Sequence, residues 1–481
     1  MQSAMITMKA SGGKATRNST GRLKYHVKTF GCQFNYSDSE RVASLLEEIG
    51  YAPTENEVEA DFIILNTCAI RQKAEDRVYG LFPHFQELKQ KNSRLKIGIT
   101  GCMVRKSSSK VSRKKDRIVK NYEEIDITFR INELQKLPDL LRELDPELDL
   151  NEAADEFDAG TLQNYFKINP KYSNTVQAFV PIAYGCDKFC AFCIVPFSRG
   201  REKSRLMQEI LDECEQLVAR GCKEITLLGQ TVDSYGLSFD DRATKRFAPL
   251  KKGEKIYFTR LLEELDRMKF RGLKRVRWTS PHPKDMTDDL IEAVARLETQ
   301  MPYIHLPIQS GSTAMLKRMN RPYTRERYLD RIAKIREHIP DCAISTDIIV
   351  GFCGETEEMF EDTLSLYEEI RWDMAFIAQY SMRKFTAAHR TMKDDVPSKI
   401  KQKRWHELNE ILKQCSREGH ERFVGKTVEV LVERVLEDGR LEGRSEHYKR
   451  TQFKGTEKMI GELVQIKVEE AGDWYLTGAV I

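Results

Sequence analysis

Six of the chain's eleven cysteines fall into two patterns with metal-binding character. Cys186-Asp187-Lys188-Phe189-Cys190-Ala191-Phe192-Cys193 is a C-x3-C-x2-C run, with three thiolate donors inside eight residues. Three soft thiolates can hold a 4Fe-4S cluster while leaving its fourth iron open, and they disfavour magnesium or calcium. A closed structural zinc site wants a fourth ligand, which the run lacks. The second pattern is dispersed. Cys32, Cys68 and Cys102 are 36 and 34 residues apart, and each directly follows a short run rich in β-branched residues that ends in Gly or Thr. Three thiols without a histidine beside them suit a cluster with an open iron better than zinc. The competing reading, three unrelated buried cysteines, leaves unexplained why each stands at a strand end. Cys214, Cys222, Cys342, Cys353 and Cys415 have no metal-like spacing and read as small buried hydrophobes. His282 and His305 read either as substrate contacts or as satisfied structural histidines.

The elements that carry these residues alternate. Strand-like runs at 24–30, 61–65 and 95–100 are separated by helical patterns at 37–50, opening on a capping stretch Ser37-Asp38-Ser39-Glu40, and at 74–91. A β-α-β-α-β unit with right-handed crossovers makes the strands parallel and brings Cys32, Cys68 and Cys102 to one sheet edge. Residues 143–160 hold eight acidic residues and no basic one, which predicts a solvated linker. Six candidate strands follow, at 179–184, 224–228, 275–278, 303–307, 343–350 and 374–380, with amphipathic helices between them. Such an order predicts a partial α/β barrel with its chemistry at the strand C-termini, where Gln230, Ser280, Gln309 and Asp347 recur. A Lys- and Glu-rich helix at 399–421 leads into period-two segments at 427–432, 439–443, 463–468 and 475–481, a small all-β barrel or sandwich. The expected fold class is therefore α/β: an N-terminal parallel βαβ domain, a central partial (βα)6 barrel and a small C-terminal all-β domain. The expected boundaries are a disordered N-terminus over 1–22, then domains over 23–142, 172–415 and 416–481, with the acidic linker at 143–171.

At 481 residues the chain is long enough for about three domains. With 40% hydrophobic and 32% charged residues and no apolar run of spanning length, it offers no transmembrane candidate. A net charge of +4 is too small to argue for nucleic acid, so any basic surface must be local. Residues 105–120 carry eight basic residues and one acidic, directly after Cys102, and Arg199 to Arg205 follow the second cysteine pattern. From Glu421 onward ten Lys and Arg face twelve Asp and Glu; only 440–458, with six basic to three acidic and with Tyr448 and Phe453 interleaved, reads as a nucleic-acid stripe. The odd cysteine count and lack of a signal peptide's apolar core point to a reducing compartment, cytoplasmic with an organellar one not excluded.

The C-x3-C-x2-C run at the head of six βα units resembles the signature of the radical S-adenosylmethionine enzymes. With a second three-cysteine site ahead of it, the whole chain resembles the methylthiotransferases of that class, with a TRAM domain at the C-terminus. Gly31-Cys32-Gln33-Phe34-Asn35, Asn66-Thr67-Cys68-Ala69-Ile70-Arg71, Cys193 to Glu202, Leu306 to Ser312 and Thr346 to Phe352 resemble the MiaB branch. That branch methylthiolates C2 of N6-dimethylallyladenosine at position 37 of tRNA. The alternatives are the branch that acts on threonylcarbamoyl-adenosine, and an RNA-binding protein with structural or redox-sensing clusters. Cys353, where the family carries Pro, and Ser381 to Phe385, in place of a Pro-rich turn, depart from the pattern.

The resemblance implies two 4Fe-4S clusters and two molecules of S-adenosylmethionine. Cys186, Cys190 and Cys193 would bind the cofactor-cleaving cluster, and Cys32, Cys68 and Cys102 the auxiliary one that provides sulfur. It makes Phe192 an adenine contact and Gln230, Ser280, Gln309 and Asp347 further cofactor contacts. Arg201, Lys203, Arg444, Lys449 and Arg450 are the expected RNA contacts. The expected partners are a tRNA anticodon stem-loop and a reducing donor such as flavodoxin or ferredoxin, with the chain a monomer and no membrane involved.

Overall fold

The computed structural model describes residues 22–69, 72–151 and 162–481, so Ile70, Arg71 and the expected disordered segment up to residue 21 lie outside it. Contacts divide the chain into two bodies, residues up to 186 with 194–205, and 187–193 with 206–481.

In the first body Lys24–Thr29, Phe62–Thr67 and Lys96–Gly101 are parallel neighbours, flanked among the described residues by short strands at Ala52–Pro53, Ile127–Thr128 and Ser108–Ser109. Phe62–Thr67 is buried along its whole length, as an unbroken apolar run in the middle of a parallel sheet should be. The register pairs Thr29 with Asn66 and Thr67 with Gly101, so the three strands end together.

Three expectations shift here. The first helix is Gln33–Glu48 and starts at Cys32, so the expected capping stretch lies inside it, with Ser37 and Asp38 wholly buried. These polar side chains are engaged by tertiary partners rather than by helix-end amides. The expected helix over 74–91 is two, Gln72–Tyr79 and Phe82–Lys91. Pro83 sits in the first turn of the second, where its missing N–H costs nothing. The acidic linker is folded in part: Leu148 and Leu150 are buried, Leu162–Lys167 is helical, and fully buried Tyr165 donates its hydroxyl to Asp38. Residues 152–161 of that linker lie outside the described residues.

In the second body Glu224–Leu228 pairs in parallel with Arg275–Trp278, and Tyr303–His305, Ala343–Val350 and Met374–Gln379 form a second parallel set. With Gln177–Pro181 of the first body, these make six strand-helix units in chain order. A 24-residue helix, Ser398–Glu421, leads to a closed barrel of Thr427–Val435, Leu441–Ser445, Arg450–Phe453, Leu476–Val480 and Leu463–Ala471. Arg450–Phe453, which carries no clear period-two signal, pairs with Leu441–Ser445 on one side and in parallel with Leu476–Val480 on the other.

This small barrel is clamped to the strands ahead of it. Arg277 donates to the Ser445 carbonyl at 2.8 Å and Arg275 to that of Glu429 at 2.7 Å. Tyr448 stacks on Tyr303 with ring centroids 4.7 Å apart.

Candidate metal centres

The first centre is built by backbone geometry. Gly101 has φ +89°, and a Cβ there would lie 2.3 Å from the Thr67 carbonyl, which also accepts the Cys102 N–H at 2.8 Å. Gly31, at φ +134°, leaves no room for a side chain because its Cβ would stand 2.9 Å from that of Cys68. Only glycine permits these close turns, which bring Cys32 and Cys102 back toward Cys68. Two asparagines interlock beneath them. Asn35 donates to the Asn66 side chain at 3.0 Å and to the Thr67 carbonyl at 3.1 Å, while Asn66 returns a hydrogen bond to the Asn35 carbonyl at 2.7 Å.

Cys68 and Cys102 are buried and Cys32 is open to solvent, all three as free thiols. Surrounding protein raises the Cys32 thiol by desolvation, which the Arg199 guanidinium opposes without cancelling. Arg199 is buried, its carbon centre 4.2 Å above the Phe34 ring, and it donates to Asp38 at 2.7 Å. Burial works against its charge, yet Asp38 and the Cys102 and Cys32 thiols hold its pKa above the ordinary value. Arg199 thus places a fixed cation beside Cys32 and Cys102, where thiolate ligands of a cluster would bring negative charge. A 4Fe-4S cube takes each thiolate at a separate corner, an arrangement that three cysteines following adjacent strand ends can meet. The donor set fits a cluster.

In the second centre Cys186, at the end of the first body, hydrogen-bonds the Gly200 carbonyl through its N–H at 3.2 Å. The loop that follows belongs to the second body and is held by three consecutive residues. Ala191 N–H donates to the Met319 carbonyl at 2.8 Å, Asn320 donates to the Phe189 carbonyl at 2.8 Å, and Arg321 Nη1 donates to Cys190 Sγ at 3.5 Å. Phe192 meets Phe352 edge to face and packs beside Met315, Met319 and Cys353. Cys353 is itself part of this apolar core. Three thiols in one short loop, one already accepting a hydrogen bond from a cation, fit a cluster here too.

Of the expected cofactor contacts, Gln230 follows Glu224–Leu228 and Ser280 follows Arg275–Trp278, both half-buried. Ser280 and Gln309 adopt left-handed backbone, φ +60° and +77°, a conformation that non-glycine residues keep only where the surroundings impose it. Gln309 is pinned by its N–H to the Asp347 carbonyl and by its carbonyl to the Ile349 N–H, each at 2.9 Å. Asp347 has its carboxylate 3.5 Å from His305 Nε2. His282 is buried, its backbone N–H bound to Asp233 at 2.8 Å while its Nε2 has no partner among the described residues; burial, then Arg321 and Lys188, push its pKa far below the usual range.

The expected RNA contacts divide. Arg201 is exposed and Lys203 half-buried, and after Cys102 the side chains of Lys106, Arg113, Lys114, Lys115, Arg117 and Lys120 are exposed. The C-terminal stripe needs correction. Lys449 is 6% exposed with its ammonium 2.7 Å from Asp373, Tyr448 is stacked on Tyr303, and Phe453 is barrel core. Arg450 pairs with Glu442 at 2.7 Å, and Arg444 lies 4.5 Å from the Tyr448 ring centre. These residues consist largely of junction and barrel contacts, a role that charge counting along the chain cannot separate from an exposed stripe. Sequence reasoning gives no role to Asn35 or Asn66, which stand within the family-like motifs, nor to Arg321. It counts Arg199 in a local basic run, whereas the structure buries that side chain against Asp38.

Residues 180–367 match the model of the radical SAM superfamily, 24–121 that of the uncharacterized protein family UPF0004, and 421–481 that of the TRAM domain. The structure of the radical S-adenosylmethionine methyltransferase TsrM from Kitasatospora setae, at 13% identity, shares the fold with a TM-score of 0.50 over 74% of this chain and 73% of that one. Fold and cysteine run together define a radical S-adenosylmethionine enzyme.

Curated relatives named tRNA-2-methylthio-N(6)-dimethylallyladenosine synthase include one from Clostridium botulinum (strain Okra / Type B1), 41% identical over 95% of this chain and 97% of its own. Another, from Bacillus velezensis, is 40% identical over 95% of this chain and 86% of its own. The chain belongs to the family of these synthases.

Proposed function

We propose that the chain adds a methylthio group to C2 of N6-dimethylallyladenosine at position 37 of tRNA. Cys186, Cys190 and Cys193 hold one 4Fe-4S cluster and Cys32, Cys68 and Cys102 the other. The observation that carries the reading is the convergence of Cys32, Cys68 and Cys102 on the adjacent ends of three parallel strands, a three-thiol set that leaves one iron for a further ligand. When bound, the clusters and two S-adenosylmethionine molecules supply the electron transfer, the methyl group and the sulfur. The chain's own residues bind, orient and exclude water.

Phe192 contacts the cofactor's adenine, and Gln230, Ser280, Gln309 and Asp347 contact the rest of it; the imposed backbone at Ser280 and Gln309 supports their functional role. Arg201, Lys203 and the exposed cations of 106–120 bind phosphate, joined by Arg444 and Arg450 at the edge of the small barrel; Lys449 is left to the junction. An anticodon loop suits this chemistry because a single-stranded base can leave its stack. In this reading residues 23–142, 172–415 and 416–481 act as auxiliary-cluster, radical and RNA-binding domains. The chain works as a cytoplasmic monomer supplied by a flavodoxin- or ferredoxin-type donor.

Burying the five-carbon prenyl group contributes about 4 kcal/mol at roughly 0.8 kcal/mol per carbon, so the prenylated substrate should dominate. The test compares prenylated, threonylcarbamoylated and unmodified anticodon stem-loops under anaerobic reducing conditions, with mass spectrometry of the nucleosides. Methylthiolation of the prenylated loop is expected; preference for either other loop overturns the assignment.

A further inference from the structure

Arg321 is buried, yet nearly every direction of its fork is assigned. Nε donates to the Tyr323 hydroxyl at 2.6 Å, Nη2 to the Pro307 carbonyl at 2.7 Å, and Nη1 to Cys190 Sγ at 3.5 Å. Tyr323 is anchored in turn, its hydroxyl donating to the Ile308 carbonyl at 3.0 Å, and burial pushes its pKa up to about 12, so it stays neutral. Arg321 follows the helix Thr313–Arg318 in the same turn whose Met319 and Asn320 hold the cysteine loop. The cation is thus fixed against one particular sulfur by contacts on both sides of the loop, and it has no carboxylate partner among the described residues.

We propose that Arg321 is a positioning residue that raises the reduction potential of the cluster bound through Cys190. The inference rests on the reading that Cys190 is a cluster ligand. Reduction adds one electron from a low-potential donor and no proton, so the cluster and its three thiolates become more negative by one charge. A guanidinium hydrogen-bonded to one thiolate stabilises that reduced state more than the oxidised one, and hydrogen bonds to ligand sulfurs are among the protein's principal levers on cluster potential. Burial strengthens the effect because little water screens it.

The experiment is an EPR-monitored redox titration of the anaerobically reconstituted full chain, without S-adenosylmethionine, for wild type, Arg321→Gln and Arg321→Lys, with iron counted in each. Gln keeps a donor but loses the charge; Lys keeps the charge but loses the fork. The expected result is full iron loading with one of the two cluster signals shifted in Arg321→Gln. At a fixed potential its reduced-to-oxidised ratio should fall about tenfold, equivalent to 59 mV for one electron, with Lys recovering part of the loss. The other cluster's signal should not move and serves as the internal reference. Unchanged midpoints in Arg321→Gln, equal shifts of both signals, or loss of the cluster in both variants would overturn the proposal, the last by making the residue structural. A Cys190→Ala chain that keeps the iron and both signals would instead remove the ligand reading beneath it.

Discussion

Cys102 and Cys190 are both buried thiols beside a buried arginine, but the two arginines are held differently. Arg199 is neutralised by Asp38 at 2.7 Å, whereas Arg321 donates directly to sulfur and to neutral groups. Burial pushes the thiols of Cys222 and Cys342 up to about 12, which keeps them protonated. The two ligand sets should therefore be separable. Replacing Cys186, Cys190 and Cys193 together by Ala should remove half the bound iron and abolish deoxyadenosine formation. Replacing Cys32, Cys68 and Cys102 should remove the other half and leave reductive cleavage intact while ending sulfur transfer. Iron analysis and chromatography of the cleavage products check this, and loss of all iron from either triple variant would contradict it.

At the scale of elements, the strand-to-cysteine steps do the positioning. Phe62–Thr67 carries Asn66 and Thr67 at its buried end, and both are committed to backbone partners around the thiols. Gly101→Ala should accordingly be costly. The left-handed backbone alone is worth about 1–3 kcal/mol, and the 2.3 Å approach to the Thr67 carbonyl forces a shift at the strand end. Thermal unfolding should occur at lower temperature, and reconstitution should recover less iron at the auxiliary site. Wild-type stability and loading together would show that the turn tolerates a side chain. The helix Gln33–Glu48 shows how local cues can mislead: Ser37-Asp38-Ser39-Glu40 has the composition of a helix start, but Asp38 is wholly buried and bound by Arg199 and Tyr165. The true start is Cys32, whose side chain and Asn35 form a reciprocal cap.

At the scale of the molecule, the small C-terminal barrel is joined to the strands before it through charged and histidine side chains. His420 and His447 lie among them, and burial, followed by Lys449 for the first and Arg422 for the second, lowers each to about 4. An unfolded histidine titrates near 6.5, so between about 6.5 and 4 the unfolded chain binds more protons than the folded one. Stability should be full above that window and fall as pH drops through it, by up to about 1.4 kcal/mol per pH unit for each histidine. Denaturant unfolding at pH 7.5 and 5.5 checks the sign, and the double variant His420→Gln/His447→Gln should flatten the dependence. An equal slope in wild type and variant would place the acid sensitivity elsewhere.

The cysteine spacings, the alternation of strands and helices, and the change to period two near the C-terminus are local signals, so the amino-acid sequence alone makes them legible. Glycine and threonine at the strand ends place Cys32, Cys68 and Cys102 at one sheet edge, because parallel crossovers turn strand order into proximity. What the chain order cannot reveal is which distant polar residues meet. Arg199 finds Asp38 across 161 positions, Arg321 finds Cys190 across 131, and Lys449 finds Asp373 across 76. No periodicity encodes such pairings; each exists because packing buries a charge and the desolvation cost then demands a partner. For that reason tertiary structure alone decided that Lys449 is a junction residue, and that a guanidinium faces the Cys190 sulfur.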